Sequence, residues 1–328
     1  MEGKLLNIGE LKIVFNISDD NENLIKLIEE KLSLINFLNL SKKKVISLRA
    51  RVIHSSLAIE DNSLSLDSVE DIIYNRIVFG SNKEIEEVKN INELYQFIDK
   101  FNWINEDDFI CAYVMLMKTF NEDNYFYRNH GEGVKDGERI IYVAPDSLIV
   151  PALMKSLFEF LNDSKDKIHP LILASLFHYY FVYIHPFSDG NGRMARFWVH
   201  LILSSWNSKF KNIPIEEEIY LNQEKYYDSI SECHNNGNAN KFIEFMLDII
   251  NSVLDKTTQK TTQKVRLNSN QEKIVEYIRN NPNITRCKLA NKLNITSDGV
   301  KYNLKKLCDN NVIERIGPVN GGYWKVRE

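Results

Sequence analysis

The run His185-Pro186-Phe187-Ser188-Asp189-Gly190-Asn191-Gly192-Arg193-Met194-Ala195-Arg196 holds the densest chemistry in this chain. His185 is the group in it that titrates near neutrality, which makes it a natural general base. Gly190 and Gly192 flank Asn191 and permit a tight turn whose backbone N–H groups converge on an anion. A helix starting at once after this turn would add unpaired N–H groups and the positive end of its dipole. Arg193 and Arg196 face the same way in its first turn, and a guanidinium fork binds phosphate oxygens in pairs. Cations at that end otherwise cost ~0.3–1 kcal/mol each, so the pattern calls for an anionic partner. Asp189 offers a hard oxygen where a magnesium ion bridging phosphates would sit.

Two elements have to position these groups. Pro170 to Ile184 reads as a helix packed through Leu171, Leu173, Leu176, Phe177, Phe181 and Ile184. Pro186 disfavours helical backbone at His185, so the helix should end there and leave the imidazole at the rim of the core. A second helix should run from about Asn191 to Trp206. Helical spacing of apolar residues also marks 23–40, 43–59, 66–78, 83–100, 106–120, 148–162, 222–235 and 239–254. Leu11–Ile17 reads as a short strand. Gly131–Pro145 has three glycines and the β-rich run Arg139-Ile140-Ile141-Tyr142-Val143, and reads as a β-hairpin between helices. The expected class is mainly α, a helical bundle with a small hairpin.

With 328 residues, 44% hydrophobic and 26% charged, the chain can bury two or three globular domains. Cys111, Cys233, Cys287 and Cys308 are scattered without a C-x-x-C, so neither a zinc site nor a disulfide framework is expected. The longest apolar run, Leu171 to Ile184, is too short and polar to cross a bilayer, and Met1-Glu2-Gly3-Lys4 does not open a signal peptide. A cytoplasmic protein without membrane contact is expected. The net charge of −4 conceals an asymmetry. From Val265 onward 12 Lys and Arg stand against 6 Asp and Glu, net +6, while the rest carries 29 against 39, net −10. A basic tail on an acidic body suggests a second function, with nucleic acid among its candidate partners.

That tail, 269–328, fits a winged helix-turn-helix. Three helical patterns are followed by short strands at Val312–Ile316 and Tyr323–Val326, with Gly317–Gly322 as the wing. Lys301, Lys305 and Lys306 lie on the third helix, where a recognition helix presents charge to DNA. The same fold also serves protein contacts. The expected organisation is a helical region over 1–104, a core over 105–254, a spacer over 255–268 and the tail. The spacer carries a direct repeat, 257–260 then 261–264, and reads as a solvated linker or a helix extension.

The run 185–196 resembles the Fic motif, H-x-F-x-D/E-G-N-G-R-x-x-R, at every fixed position. The wider chain resembles a Fic-family protein adenylyltransferase with an N-terminal inhibitory helix. That resemblance implies a mostly helical Fic core over about 105–250. It implies transfer of AMP from ATP, with magnesium, to a Ser, Thr or Tyr hydroxyl of a protein, the chain itself included. His185 would deprotonate the hydroxyl, Phe187 anchor the loop and Asp189 bind magnesium. Gly190, Asn191 and Gly192 would hold the phosphates, with Arg193 and Arg196 on the β- and γ-phosphates. The hairpin 138–146 resembles the flap that clamps the target. Tyr226, Tyr227 and Asn235 fall where the family lines its adenine pocket.

Ser55–Asn62 resembles the family's inhibitory motif, S/T-x-x-x-E-G/N. Ser56 and Glu60 share one helix face, and Asp61 stands where the family has Gly or Asn. A Glu60 carboxylate paired with Arg196 would occupy the arginine meant for the γ-phosphate. Other readings stay open: a DNA-binding regulator whose Fic domain senses nucleotide, transfer of UMP, phosphocholine or phosphate, removal of AMP, and homo-oligomerisation. Gly192 argues against phosphate transfer, where the resemblance implies a larger residue.

Overall fold

The computed structural model describes residues 6–8, 11–13, 15–37, 40–120, 126–136, 139–262, 267–309, 312–317 and 321–326. In chain order its elements begin with β1 (Leu6–Ile8), β2 (Leu11–Ile13), α1 (Asp19–Leu34), α2 (Lys42–Ala58), α3 (Leu66–Ile73), α4 (Asn82–Gln96) and α5 (Glu106–Met117). Then come β3 (Gly133–Asp136), β4 (Arg139–Val143), α6 (Val150–Ser164), α7 (Pro170–Ile184), α8 (Asn191–Trp206), α9 (Ile215–Leu221), α10 (Gln223–Asn236) and α11 (Asn240–Thr262). The order closes with α12 (Ser269–Asn280), α13 (Arg286–Leu293), α14 (Ser297–Asp309), β5 (Ile313–Ile316) and β6 (Tyr323–Val326). The chain divides into two units, Met1–Thr258 and Gln259–Glu328. Helix dominates, and the strands form antiparallel pairs β1–β2, β3–β4 and β5–β6, so the mainly α class holds.

In the first unit the most apolar helix lies deepest. α7 buries every residue from Leu171 to Phe181, and Ile184. α8 packs along it and buries every residue from Arg193 to Ser204, both motif arginines included. α2 packs on α9 and against α3 and α4, which brings its C-terminal end to the start of α8. One apolar cluster runs from Phe15 to Leu254.

Local chemistry moves several boundaries away from the apolar spacing. Ser18 caps α1 by accepting the Asn21 N–H at 3.2 Å, ahead of an acidic first turn, so α1 begins at Asp19 and not near 23. α3 stops at Ile73, short of 78, because Asn75 takes a φ of 56° and the Arg76 N–H closes onto the Asp71 carbonyl at 2.9 Å. The single strand expected over Leu11–Ile17 is a hairpin of two three-residue strands. Spacing does not mark α9 at all. Its Glu216, Glu217 and Glu218 look like solvated charge, yet they form the first turn after Pro214, where acids suit the dipole. α11 continues to Thr262, so the expected spacer begins as helix.

The second unit packs α12, α13 and α14 with β5 and β6 around Ile274, Ile278, Leu289, Val300, Leu307 and Ile313. Asn268 and Gln271 form a capping box at α12, and Thr285 caps α13. Residues 318–320 of the expected wing and 137–138 of the expected hairpin lie outside the described residues.

Candidate active site

The chain leaves α7 abruptly. His185 takes a left-handed backbone, φ 49° and ψ 59°, with its N–H bonded to the Phe181 carbonyl at 2.9 Å. Pre-proline sterics alone would favour an extended residue here. Arg128 holds the turn instead. It is 4% exposed and donates from Nε to the His185 carbonyl (2.7 Å), from Nη1 to that of His130 (2.8 Å) and from Nη2 to that of Pro145 (2.5 Å). Its own N–H bonds to the Pro186 carbonyl at 2.8 Å. One guanidinium thus ties the motif loop to both sides of the β3–β4 base. No spacing rule marks Arg128, because its partners are backbone carbonyls, most of them far away in sequence.

The rest of the loop is equally fixed. The Phe187 ring stacks on Tyr113 at 3.5 Å between centroids. The Asn191 side chain donates to the Phe187 carbonyl (2.6 Å) and accepts from the Phe187 N–H (3.1 Å). It staples the turn, so its part in any phosphate cradle falls to backbone. Gly190 needs its φ of 82° to cap α8. Gly192 is needed for proximity: a Cβ there would overlap the Glu60 carboxylate and lie 3.1 Å from Arg196 Nη1.

Both arginines are buried and both are engaged. Arg193 Nη2 donates to Asp189 Oδ1 (2.7 Å) and Nη1 to Glu87 Oε1 (3.2 Å). The Asp189 carboxylate is more than half exposed, and Oδ1 also accepts the Gly190 N–H. Arg196 Nη2 donates to Glu60 Oε1 and to the Ser56 carbonyl, each at 2.8 Å, and Nε to Ser56 Oγ at 3.1 Å. Burial works to lower the Arg196 pKa, but the Glu60 charge and hydrogen bond together with Tyr226 and Tyr227 outweigh it, so the cation is held above its ordinary range.

Glu60 is aimed by the way α2 stops. The Asn62 N–H reaches the Leu57 carbonyl (3.1 Å) and the Asp61 N–H that of Ala58 (3.2 Å), with Asp61 at a φ of 64°. This is a Schellman ending, whose left-handed residue is usually Gly or Asn. Asn62 Nδ2 then donates to Glu87 Oε2 at 2.8 Å. The segment after α2 therefore touches Arg196 through Glu60 and Arg193 through Glu87. Glu87, on α4, is a contact that helical spacing does not announce.

Burial lowers the His185 pKa, only partly offset by the Glu132 charge, so the imidazole is neutral at neutral pH. The three expected adenine-side residues separate. Tyr226 is core: its OH pairs with Nε2 of buried His178 at 2.8 Å, and burial together with Arg196 pushes His178 down to about 3. Tyr227 is half-exposed and reaches the Ile59 carbonyl at 3.4 Å, beside Glu60. Asn235 is exposed near the end of α10. Its neighbour His234 stacks on flap residue Tyr142 at 4.2 Å, and the Tyr142 OH donates to the Tyr183 carbonyl at 2.5 Å.

The Fic/DOC family model matches residues 103–203, which span α5, the hairpin, α6, α7 and the motif. The chain carries a Fic/DOC domain. A winged helix-turn-helix DNA-binding model matches 267–314, so a winged helix-turn-helix follows it. The crystal structure of a Fic family protein from Desulfovibrio desulfuricans G20 is 29% identical and covers 95% of this chain and 97% of its own, with a TM-score of 0.72. A Fic domain containing signaling protein from Bacteroides thetaiotaomicron shares the fold at 23% identity and a TM-score of 0.57, over 72% of this chain and 97% of its own. Proteins named protein adenylyltransferase Fic are also similar. That of Aedes aegypti is 27% identical over 213 residues, 62% of this chain and 40% of the relative. That of Nematostella vectensis is 28% identical over 226 residues, 64% and 49% respectively. The chain thus spans less than half the length of either curated relative. No described helix of the Fic domain or its neighbours is long and apolar enough to cross a membrane.

Proposed function

We propose that the chain is a protein adenylyltransferase that Glu60 holds in a braked state. The observation that carries this reading is the 2.8 Å pair between Glu60 and buried Arg196 at the N-terminal end of α8. An arginine that deep, beside a helix N-terminus, suits a phosphate oxygen, and the carboxylate occupies that role when no nucleotide is bound.

In the unbraked state Arg193 and Arg196 bind the β- and γ-phosphates and orient ATP. The neutral His185 imidazole accepts the proton of a protein hydroxyl. The hydroxyl oxygen then bonds to the α-phosphorus, the bond from that phosphorus to its bridging oxygen breaks, and pyrophosphate leaves. The β3–β4 hairpin, tied to His185 through Arg128, places the hydroxyl. Positioning and charge neutralisation do most of the work in such a transfer. Magnesium fits as an ion brought by the nucleotide. Among the described residues no three acidic, His or Cys side chains group to hold a metal, whereas Asp189 is exposed and its bonds to Arg193 and Gly190 both use Oδ1. One carboxylate plus phosphates is the ordinary magnesium arrangement, and the ion would supply charge neutralisation between phosphates.

The test is incorporation of labelled AMP from ATP into the full chain and into added protein. Glu60→Gly should incorporate label, and the double variant with His185→Ala should not. A Glu60→Gly protein that binds ATP yet transfers nothing overturns the reading.

For the second unit we infer contact with DNA, from exposed Lys301, Lys305 and Lys306 on α14 and the net +6 of the tail. A mobility shift that vanishes when all three become Gln supports it. Binding to DNA that is absent at 50 mM salt, where phosphate contacts are strongest, overturns it.

A further inference from the structure

Away from the motif, the first unit contains a cleft of about 1010 Å3. None of its lining residues belongs to the 185–196 run. Its apolar walls come from Ile46 and Val52 on α2, Ile73 on α3 and Ile98 after α4. Tyr95 and His200 also line it, and the Tyr95 hydroxyl and His200 Nδ1 are already committed to the buried Glu216 carboxylate, at 2.8 and 3.1 Å. Its charge is lopsided. Lys42, Lys43, Arg49 and Lys211 stand against one carboxylate, Asp99, and that one pairs with Lys211. This positive cleft lies in a part of the chain whose net charge is −10.

Arg49 departs from the pattern of the other inward arginines. Arg193 and Arg196 each leave one nitrogen unpaired but hold acceptors through the others, Arg128 is paired throughout, and Arg51, on the same helix as Arg49, pairs with both oxygens of Glu217. Arg49 Nε is shielded from solvent and bonds to nothing. Burial lowers its pKa and no neighbouring acid counters that. A shielded guanidinium N–H without an acceptor costs free energy that a bound anion would recover.

The space and its lining decide what kind of anion. Ligand pockets run to ~300–1,000 Å3, so this cleft takes an organic molecule and not a lone ion. The planar fork of Arg49, lining the same cleft as Lys42 and Lys43, matches a phosphate dianion, and the aliphatic walls match an apolar or aromatic body. We propose that this cleft binds a small organic phosphate, its phosphate on Arg49, Lys42 and Lys43 and its body against Ile46, Val52 and Ile73. All three cations belong to α2, so the ligand braces the helix whose far end carries Glu60.

The probe is phenyl phosphate, with inorganic phosphate and benzoate as the two halves of the claim, titrated calorimetrically into the full chain. Phenyl phosphate should bind saturably and about tenfold or more tightly than either half. Arg49→Gln should weaken it about tenfold, and the pair Lys42→Gln with Lys43→Gln, both exposed and so safe for folding, severalfold. The proposal is overturned by no saturable binding, or by binding equal to wild type in Arg49→Gln or in the double lysine variant, either of which places the ligand elsewhere. None of these readouts needs AMP transfer, so the cleft stands or falls apart from the adenylyltransferase reading.

Discussion

Two turns of the first unit deliver charged groups to one place by opposite means. The turn after α7 presents His185, the turn after α2 presents Glu60, and each passes through a left-handed residue, at φ 49° and 64°. The first is clamped from outside by Arg128, by the Phe187–Tyr113 stack and by the Asn191 staple. The second is held mainly by its own Schellman bonds, with Asn62 on Glu87 and Ser63 on Glu84 downstream. The Glu60 side chain itself is a third exposed, whereas that of Arg196, its partner, is 1% exposed. On the proposed function, the group that does chemistry sits where neighbours over-determine it, and the group that yields sits where it can be released.

The sharpest way to break this contrast is His185→Ala. In the Glu60→Gly background it should reduce AMP transfer by ~10²–10⁴-fold, because it removes the base without touching the phosphate contacts. ATP binding should persist. The pH profile sharpens the point. Burial depresses the His185 pKa, so the neutral base survives below the ordinary histidine value of about 6.5 and is lost as pH falls through the depressed one. The acid limb of transfer should therefore lie under 6.5, and a limb above that value would remove His185 from the role.

Arg128→Met tests the clamp. It deletes charged hydrogen bonds to the loop and the hairpin base, each worth about 1.5–3 kcal/mol. Thermal unfolding should show a loss of that order or more, and transfer should drop through a poorly placed hairpin with ATP affinity little changed. An unaltered melting temperature would mean that the loop holds itself. Glu60→Gly tests the yielding turn and should raise AMP incorporation about tenfold or more, since ~1.4 kcal/mol of pairing already means tenfold in population. Incorporation no faster than wild type would make Glu60 a surface residue.

These expectations also mark how far sequence reaches. The 185–196 run is legible because its chemistry is contiguous, and Ser56 and Glu60 are legible because one helix face joins them. Arg128 and Glu87 are not. They act on residues 57 and 106 positions away, through contacts that exist only once the chain has packed. α9 is hidden for another reason: its buried Glu216 and Glu218 defeat a rule that reads glutamate as surface. Tyr226 is ambiguous in sequence for the opposite reason, since an aromatic lining a pocket and an aromatic in a core look alike there, and only the structure shows His178 against it.

The smallest expected effect concerns Asp61. A left-handed backbone is strained for a residue with a Cβ, less so for Asp than for most, and Gly removes the strain. Asp61→Gly should therefore strengthen the Schellman ending by about 0.5–1 kcal/mol, allowing for the extra freedom glycine has in the unfolded chain. Because that ending aims Glu60 at Arg196, the gain belongs to the braked state. AMP incorporation should fall about two- to fivefold while the melting temperature rises by a few degrees. The direction is what matters: adjacent Glu60→Gly and Asp61→Gly should move activity opposite ways. If Asp61→Gly raises incorporation, the turn after α2 does not aim the carboxylate, and the contrast between a clamped turn and a self-held one fails at its weaker half.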